Sequence, residues 1–180
     1  MRLFVRSSAC ALAFACVLAP AGAQVVVTSD PVGNALEYLL PLGAAGLSLY
    51  QDDVAGLKQL GITLVVSQGT TELLKHVIDQ PRPDGTGYGM PSGHASVVFA
   101  AAGYVHRRYG PWEAVPFYAL ATVTAWERVH HNHHTTGQVV GGAAVGLASA
   151  YFFTDPLPDG GRLSLGMHAG GPWLSYARSW

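Results

Sequence analysis

Apolar positions gather in five segments of the chain, each closed by a turn signal, and the spacing predicts a helix for each. Residues 34–50 (NALEYLLPLGAAGLSLY) are apolar nearly throughout and end at Gln51-Asp52-Asp53. Residues 54–79 are amphipathic, with Lys58, Gln59, Gln68, Glu72 and Lys75 interrupting the apolar positions. This second helix stops at Pro81-Arg82-Pro83, where two prolines forbid continuation. The loop 83–91 holds Asp84-Gly85 and Gly87-Tyr88-Gly89, which is turn chemistry. A third helix runs from about 92 to 108, capped by Ser92 and ending at His106-Arg107-Arg108. Gly110-Pro111 separates it from a fourth, 112–128, and a fifth covers about 136–153. That last segment, TGQVVGGAAVGLASAYFF, is uncharged and full of small residues suited to close helix packing. The pattern therefore predicts an all-α bundle of about five helices, without repeats or a second domain. The tail 155–180 reads as a short hairpin or a disordered end.

The first residues change the picture of where the chain works. Arg2 and Arg6 precede a short apolar run, and Ala21-Gly22-Ala23 offers a small-x-small cleavage pattern. Residues 1–23 therefore read as a secretory signal peptide, followed by a linker 24–33, a helical domain 34–154 and the tail 155–180. The apolar run, about 13 residues, falls short of the roughly 20 that span a bilayer. Cys10 and Cys16 both lie inside that segment, so the mature chain has no thiol or disulfide chemistry. Only 12% of residues are charged, about half the globular average, which fits either a very apolar bundle or a membrane protein of modest hydropathy. Segments 34–50 and 136–153 reach the threshold of a span marginally, and His106-Arg107-Arg108 suits a cytoplasmic connection. A membrane-integrated protein and a soluble periplasmic bundle both stay open, each exported with its chemistry facing the periplasm. A net charge of −1 points to no nucleic-acid partner.

Polar residues that an apolar bundle would avoid concentrate at four places: Lys75 with Arg82, Ser92-Gly93-His94, Arg128, and His134. Short loops favour antiparallel neighbours, which brings all four to one end of the bundle. Three cations, a hydroxyl and the N–H groups of a helix N-terminus suit a dianionic phosphate. Each residue also has an ordinary reading. Lys75 is a helix-end lysine that snorkels, Arg82 a solvated loop charge, Arg128 a helix C-terminal charge, Ser92 an N-cap, and His94 an exposed first-turn residue. Singly the ordinary readings win; the ordered combination is what outweighs them.

That combination reads Lys75-x6-Arg82-Pro83, Pro91-Ser92-Gly93-His94 and Arg128-x5-His134. It resembles the three-part signature of the type 2 phosphatidic acid phosphatase (PAP2) superfamily, which includes lipid phosphate phosphatases, bacterial acid phosphatases and vanadium haloperoxidases. The resemblance covers about residues 34–153. It implies His134 as a nucleophile forming a phosphohistidine and His94 as the general acid. Lys75, Arg82, Ser92, Gly93 and Arg128 would hold the phosphate oxygens, with no cofactor and no metal required.

Two positions depart from the pattern. Glu127 stands where the third motif usually begins with serine, and Gln138 stands where the commonest form has aspartate. Gln138 lies one turn past His134 and can fix its tautomer, although it carries no charge to stabilise an imidazolium. The run His-Thr-Thr-Gly-Gln-Val-Val-Gly-Gly is similar to the dolichyl-diphosphatase-like branch, so glutamine is compatible with activity. The cluster of His130, His131, His133 and His134 invites a metal, but only Glu127 lies nearby as a further ligand and His134 already has work; the other three line the mouth or are solvated. His76 and His106 have no partner visible in the sequence. The implied substrate is a phosphorylated lipid: a polyprenyl diphosphate, a phosphatidate type or a lipid A phosphate. Alternatives are a nonspecific periplasmic acid phosphatase, a haloperoxidase, and a catalytically silent phosphate- or phospholipid-binding module.

Overall fold

The computed structural model describes residues 31–157, 162–168 and 171–177; the predicted signal peptide lies outside the described residues. Five helices follow one another: α1 (Pro31–Tyr50), α2 (Val54–Ile78), α3 (Gly93–Tyr109), α4 (Pro111–His130) and α5 (Thr136–Phe153). The tail resolves its two readings in favour of a hairpin. Strands β1 (Arg162–His168) and β2 (Gly171–Ala177) pair antiparallel, with Leu165 opposite Leu174.

The predicted helices all form, with shifted ends. α1 begins at Pro31, so the expected linker gives up its last residues to the helix, as suits a proline in a first turn. α2 ends at Ile78, before the prolines. Asp79 turns left-handed (φ 41°), and its N–H closes the helix on the Lys75 carbonyl at 3.0 Å. α4 runs past Arg128 to His130. No helix among the described residues is long and apolar enough to cross a membrane, including α1 and α5, whose sequences came nearest.

α3 is the central helix and packs on the other four. Its buried residues, Val98, Ala101, Ala102, Tyr104 and Val105, meet Leu36 and Leu40 of α1, Leu60 of α2, and Ala114 and Ala121 of α4. α1 presents Gly33, Leu36, Leu40, Ala44 and Ser48, a stripe at helical spacing, to this core. α2 contributes a polar stripe of Thr63, Ser67 and Thr71; the first two hydroxyls are satisfied across the interface, and that of Thr71 is buried with no partner among the described residues. Thr63 meets Thr154 at 3.1 Å, and Ser67 donates to the Ser96 carbonyl at 3.3 Å.

At the end away from the phosphate-type motifs, Arg108 grips Asp53 through two bonds of 2.6 Å. Tyr109 donates to the same carboxylate at 3.0 Å, and Arg108 Nη1 donates to the Asp155 carbonyl at 3.0 Å. One guanidinium thus ties the α1–α2 turn to the end of α5.

α3 and α5 approach so closely that two glycines of α5 have backbone for neighbours. A methyl on Gly142 would strike the Ser92 carbonyl, and one on Gly146 the Ser96 carbonyl and the Ala100 N–H. Gly146→Ala should destabilise the fold by about 1–3 kcal/mol through overpacking, despite alanine's better helix propensity. Gly61→Ala on α2, where a methyl meets nothing within 4 Å, should be neutral or stabilising. Chemical denaturation of the two variants checks the contrast.

Candidate active site

Every predicted site residue lies at the end of the bundle where α2, α4 and the α2–α3 loop meet the starts of α3 and α5. Local chain geometry puts them there. α4 ends in a turn through Asn132, which takes the left-handed conformation (φ 58°). This turn lets the N–H groups of both His133 and His134 donate to the Arg128 carbonyl at 3.0 Å. The six-residue interval between Arg128 and His134 is therefore a helix end folded back on itself. The α2–α3 loop is knitted by its own backbone: Arg82 N–H to the Thr86 carbonyl at 2.7 Å, and Gly89 N–H to the Gln80 carbonyl at 2.7 Å.

Gln138 joins the pieces. Its Oε1 accepts from His134 Nδ1 at 3.0 Å and from the Thr135 N–H at 3.1 Å, while Nε2 donates to the Pro81 carbonyl at 2.9 Å. Its own carbonyl accepts from the Ser92 N–H at 2.9 Å. The Nε2 bond to a carbonyl identifies which end of the amide is nitrogen, so Oε1 faces histidine. His134 then carries its proton on Nδ1, and Nε2 keeps a lone pair.

The charged and titratable groups gather at this end of the bundle. His134 is buried, and its pKa is lowered to about 4 by desolvation, with the Gln138 hydrogen bond opposing and the Arg82 and Arg128 charges adding to the drop. His94 is half-buried and is also lowered to about 4, by burial first and then by Arg128, His134, His133 and Lys75. Lys75 pairs with Glu72 at 2.7 Å, and its ammonium lies about a van der Waals contact (3.5 Å) from the position a Cβ on Gly93 would take. Ser92 is fully buried and caps α3, accepting from the Ala95 N–H at 3.5 Å. Arg82 Nε is buried with no hydrogen-bond partner among the described residues, a guanidinium donor available to an anion.

α1 brings two residues that motif spacing does not reveal. Asn34 Oδ1 lies 2.8 Å from His94 Nε2 and accepts from Arg128 Nη1 at 3.5 Å; Glu37 Oε2 lies 3.1 Å from the same His94 nitrogen. Burial raises the Glu37 pKa, against the pull of Arg128 and Lys75. Their only signal in the sequence is two polar residues three apart in an apolar helix. Glu127 is fully buried against Gly33, and neither carboxylate oxygen has a hydrogen-bond partner among the described residues.

Three other histidines find ordinary partners. His130 stacks on Trp126 at 4.6 Å between ring centres, His76 meets the Tyr88 ring edge-on at 4.9 Å, and His106 Nδ1 lies 3.1 Å from the Tyr118 hydroxyl. His76 and His106, whose partners the sequence does not reveal, thus make structural contacts with aromatic residues that are not their chain neighbours.

The comparisons with known proteins agree with this geometry. A sequence model of the PAP2 superfamily matches residues 56–157. The lipid A 4'-phosphatase of Helicobacter pylori (strain J99) is 36% identical over 137 residues, covering 69% of each chain. Dolichyldiphosphatase 1 of Rhinolophus ferrumequinum is 29% identical, covering 68% of this chain and 65% of its own. The chain thus spans about two thirds of the length of these relatives. The crystal structure of Aquifex aeolicus LpxE superposes with a TM-score of 0.53 at 17% identity, over 69% of this chain and 87% of that one, and supports the fold.

Two outcomes follow from the site. Gln138→Ala should lower kcat by about 10²–10⁴ by releasing the histidine tautomer, and Gln138→Asp should not be faster than wild type. An aspartate there loses the donor to Pro81 and sets a buried charge against carbonyls, so its melting temperature should also drop; turnover assays and thermal unfolding read both. The second outcome concerns acid. An unfolded histidine titrates near 6.5 and these two near 4, so unfolding takes up protons in that window. Stability should be full above pH 6.5 and fall as pH drops towards 4, seen as a declining melting temperature.

Proposed function

The chain belongs to the PAP2 superfamily, and from that premise we propose that it removes phosphate from a lipid-linked monoester or diphosphate through a phosphohistidine on His134. The observation that carries the reading is the His134 Nδ1 to Gln138 Oε1 bond, because it leaves the Nε2 lone pair for phosphorus. Attack by Nε2 forms the P–N bond as the bond to the leaving oxygen breaks, and His94 gives that oxygen a proton. Lys75, Arg82, Arg128, the Ser92 hydroxyl and the Gly93 backbone hold the other phosphate oxygens. Phosphoryl transfer asks mainly for such positioning and charge neutralisation. Water then attacks phosphorus and frees His134.

Two observations favour a lipid over a soluble ester. The relatives are named for lipid A and dolichyl diphosphate. In addition, large apolar residues stand exposed around the site end of the bundle: Val77 and Ile78 closing α2, Tyr88 in the loop, Trp126 on α4 and Val140 on α5. A soluble enzyme seldom exposes so many beside its mouth, and a lipid surface would cover them. We place the protein outside the cytoplasm, peripheral to or embedded in a membrane, with a lipid A-type phosphate as the first substrate to try.

The test is phosphate release from lipid A, undecaprenyl diphosphate, phosphatidate and p-nitrophenyl phosphate, with acid-quench trapping of labelled phosphorus on the protein. Turnover of a lipid phosphate with an adduct lost in His134→Ala is expected. Turnover without a His134-dependent adduct would sink the mechanism, preference for p-nitrophenyl phosphate would favour a nonspecific phosphatase, and silence on all four a binding module.

A further inference from the structure

The family match begins at residue 56, so α1 lies outside it, yet α1 meets the site at one ring nitrogen. His94 Nε2 faces two acceptors, Asn34 Oδ1 at 2.8 Å and Glu37 Oε2 at 3.1 Å. Asn34 presents its oxygen because Arg128 Nη1 donates to that atom from the other side. Two acceptors on one nitrogen require that Nε2 keep its hydrogen, which leaves Nδ1 as the nitrogen that can take up and release a proton.

We infer that Glu37 is the positioning residue that makes His94 a proton donor: its carboxylate holds Nε2–H and supplies the negative charge that lets Nδ1 carry a second proton. The inference rests on the phosphatase reading above. The need for such a group is electrostatic. Lys75 from α2, Arg128 from α4, and His133 and His134 from the α4–α5 turn all act on His94, and each makes a charged ring more costly. Among the described residues, Glu37 is the carboxylate in contact with that ring, at 21% exposure for each side chain. Burial raises the Glu37 proton affinity, against the pull of Arg128 and Lys75.

The step balances. As His134 Nε2 bonds to phosphorus and the P–O bond breaks, the leaving oxygen takes the Nδ1 proton of His94. The ring is left neutral, with Nε2–H on Glu37 and Asn34. In the second half, water bonds to phosphorus, gives its proton to Nδ1, and the P–N electron pair returns to His134.

A leaving-group series tests this. Wild type, Glu37→Gln, Glu37→Asp and His94→Gln are assayed for kcat/KM, which reports the steps through phosphohistidine formation, on p-nitrophenyl phosphate and on decyl phosphate. Nitrophenolate leaves without help, whereas an alkoxide needs a proton. Glu37→Gln should therefore lower kcat/KM on decyl phosphate about 10²-fold or more and change p-nitrophenyl phosphate only a few-fold, as His94→Gln does. Glu37→Asp, which keeps the charge, should recover part of the loss, and it carries the test should Glu37→Gln not fold. Equal changes on both esters, including a uniformly tighter KM from removing a negative charge beside the phosphate, overturn the inference. A wild type inactive on every ester overturns the phosphatase reading and this one with it.

Discussion

The amide of Gln138 is the interaction on which the site depends. It is fully buried, and every polar atom of the residue is engaged. Oε1 takes His134 Nδ1–H and the Thr135 N–H, Nε2 reaches Pro81, the backbone N–H returns to the Thr135 hydroxyl, and the carbonyl receives Ser92. Those partners belong to three separate stretches of chain: the loop after α2, the start of α3 and the start of α5. Each bond is worth about 1 kcal/mol net. Their larger effect is positional, because phosphoryl transfer is sensitive to how closely the cations and the nucleophile are held around one phosphorus. A carboxylate could replace the acceptor half of this hub but not the donor half.

The hub needs a rigid frame, and the sequence builds one from small residues. Gly142 and Gly146 let α5 lie directly against α3 backbone, so the caps at Ser92 and Thr135 fall side by side. The opposite end is fixed by the Arg108–Asp53 pair, both side chains buried and hydrogen-bonded in the bidentate manner. With Tyr109 and Ser48 joining the carboxylate cluster, the first turn of α2 cannot slide along α3 without breaking several bonds at once. A two-ended clamp of this kind suits a bundle whose core is largely alanine and whose hydrophobic burial per residue is correspondingly modest.

Much of this was legible before any coordinates. The helices and the placement of Lys75, Arg82, Ser92, His94, Arg128 and His134 follow from caps, prolines and turn residues, all local signals. The ends of α2 and α4 were off by one or two residues because a left-handed Asp79 and a tight turn at Asn132 depend on what the loops pack against. Asn34 and Glu37 were invisible for a different reason. Nothing about their spacing connects them to His94, sixty and fifty-seven positions away, and only the packing of α1 on α3 brings them there. The four histidines of the run, neighbours in sequence, point to different surroundings, with His130 on Trp126 and His134 on Gln138. Glu127, fully buried with no hydrogen-bond partner among the described residues, has no structural explanation in its surroundings.

The two histidines proposed to carry the chemistry share one electrostatic environment, and their partners distinguish them. Burial depresses both rings first, and Arg128 adds to it, with Lys75 acting on His94 and Arg82 on His134, so that both would stand neutral at pH 7. Neutrality is what a nucleophile needs, and beside His134 the protein places an amide, which orients the ring without adding charge. A proton donor needs the opposite, and beside His94 stands a carboxylate. The departure at Gln138 and the unforeseen Glu37 are therefore two halves of one distribution: the charge is withheld where a lone pair is wanted and supplied where a proton is wanted.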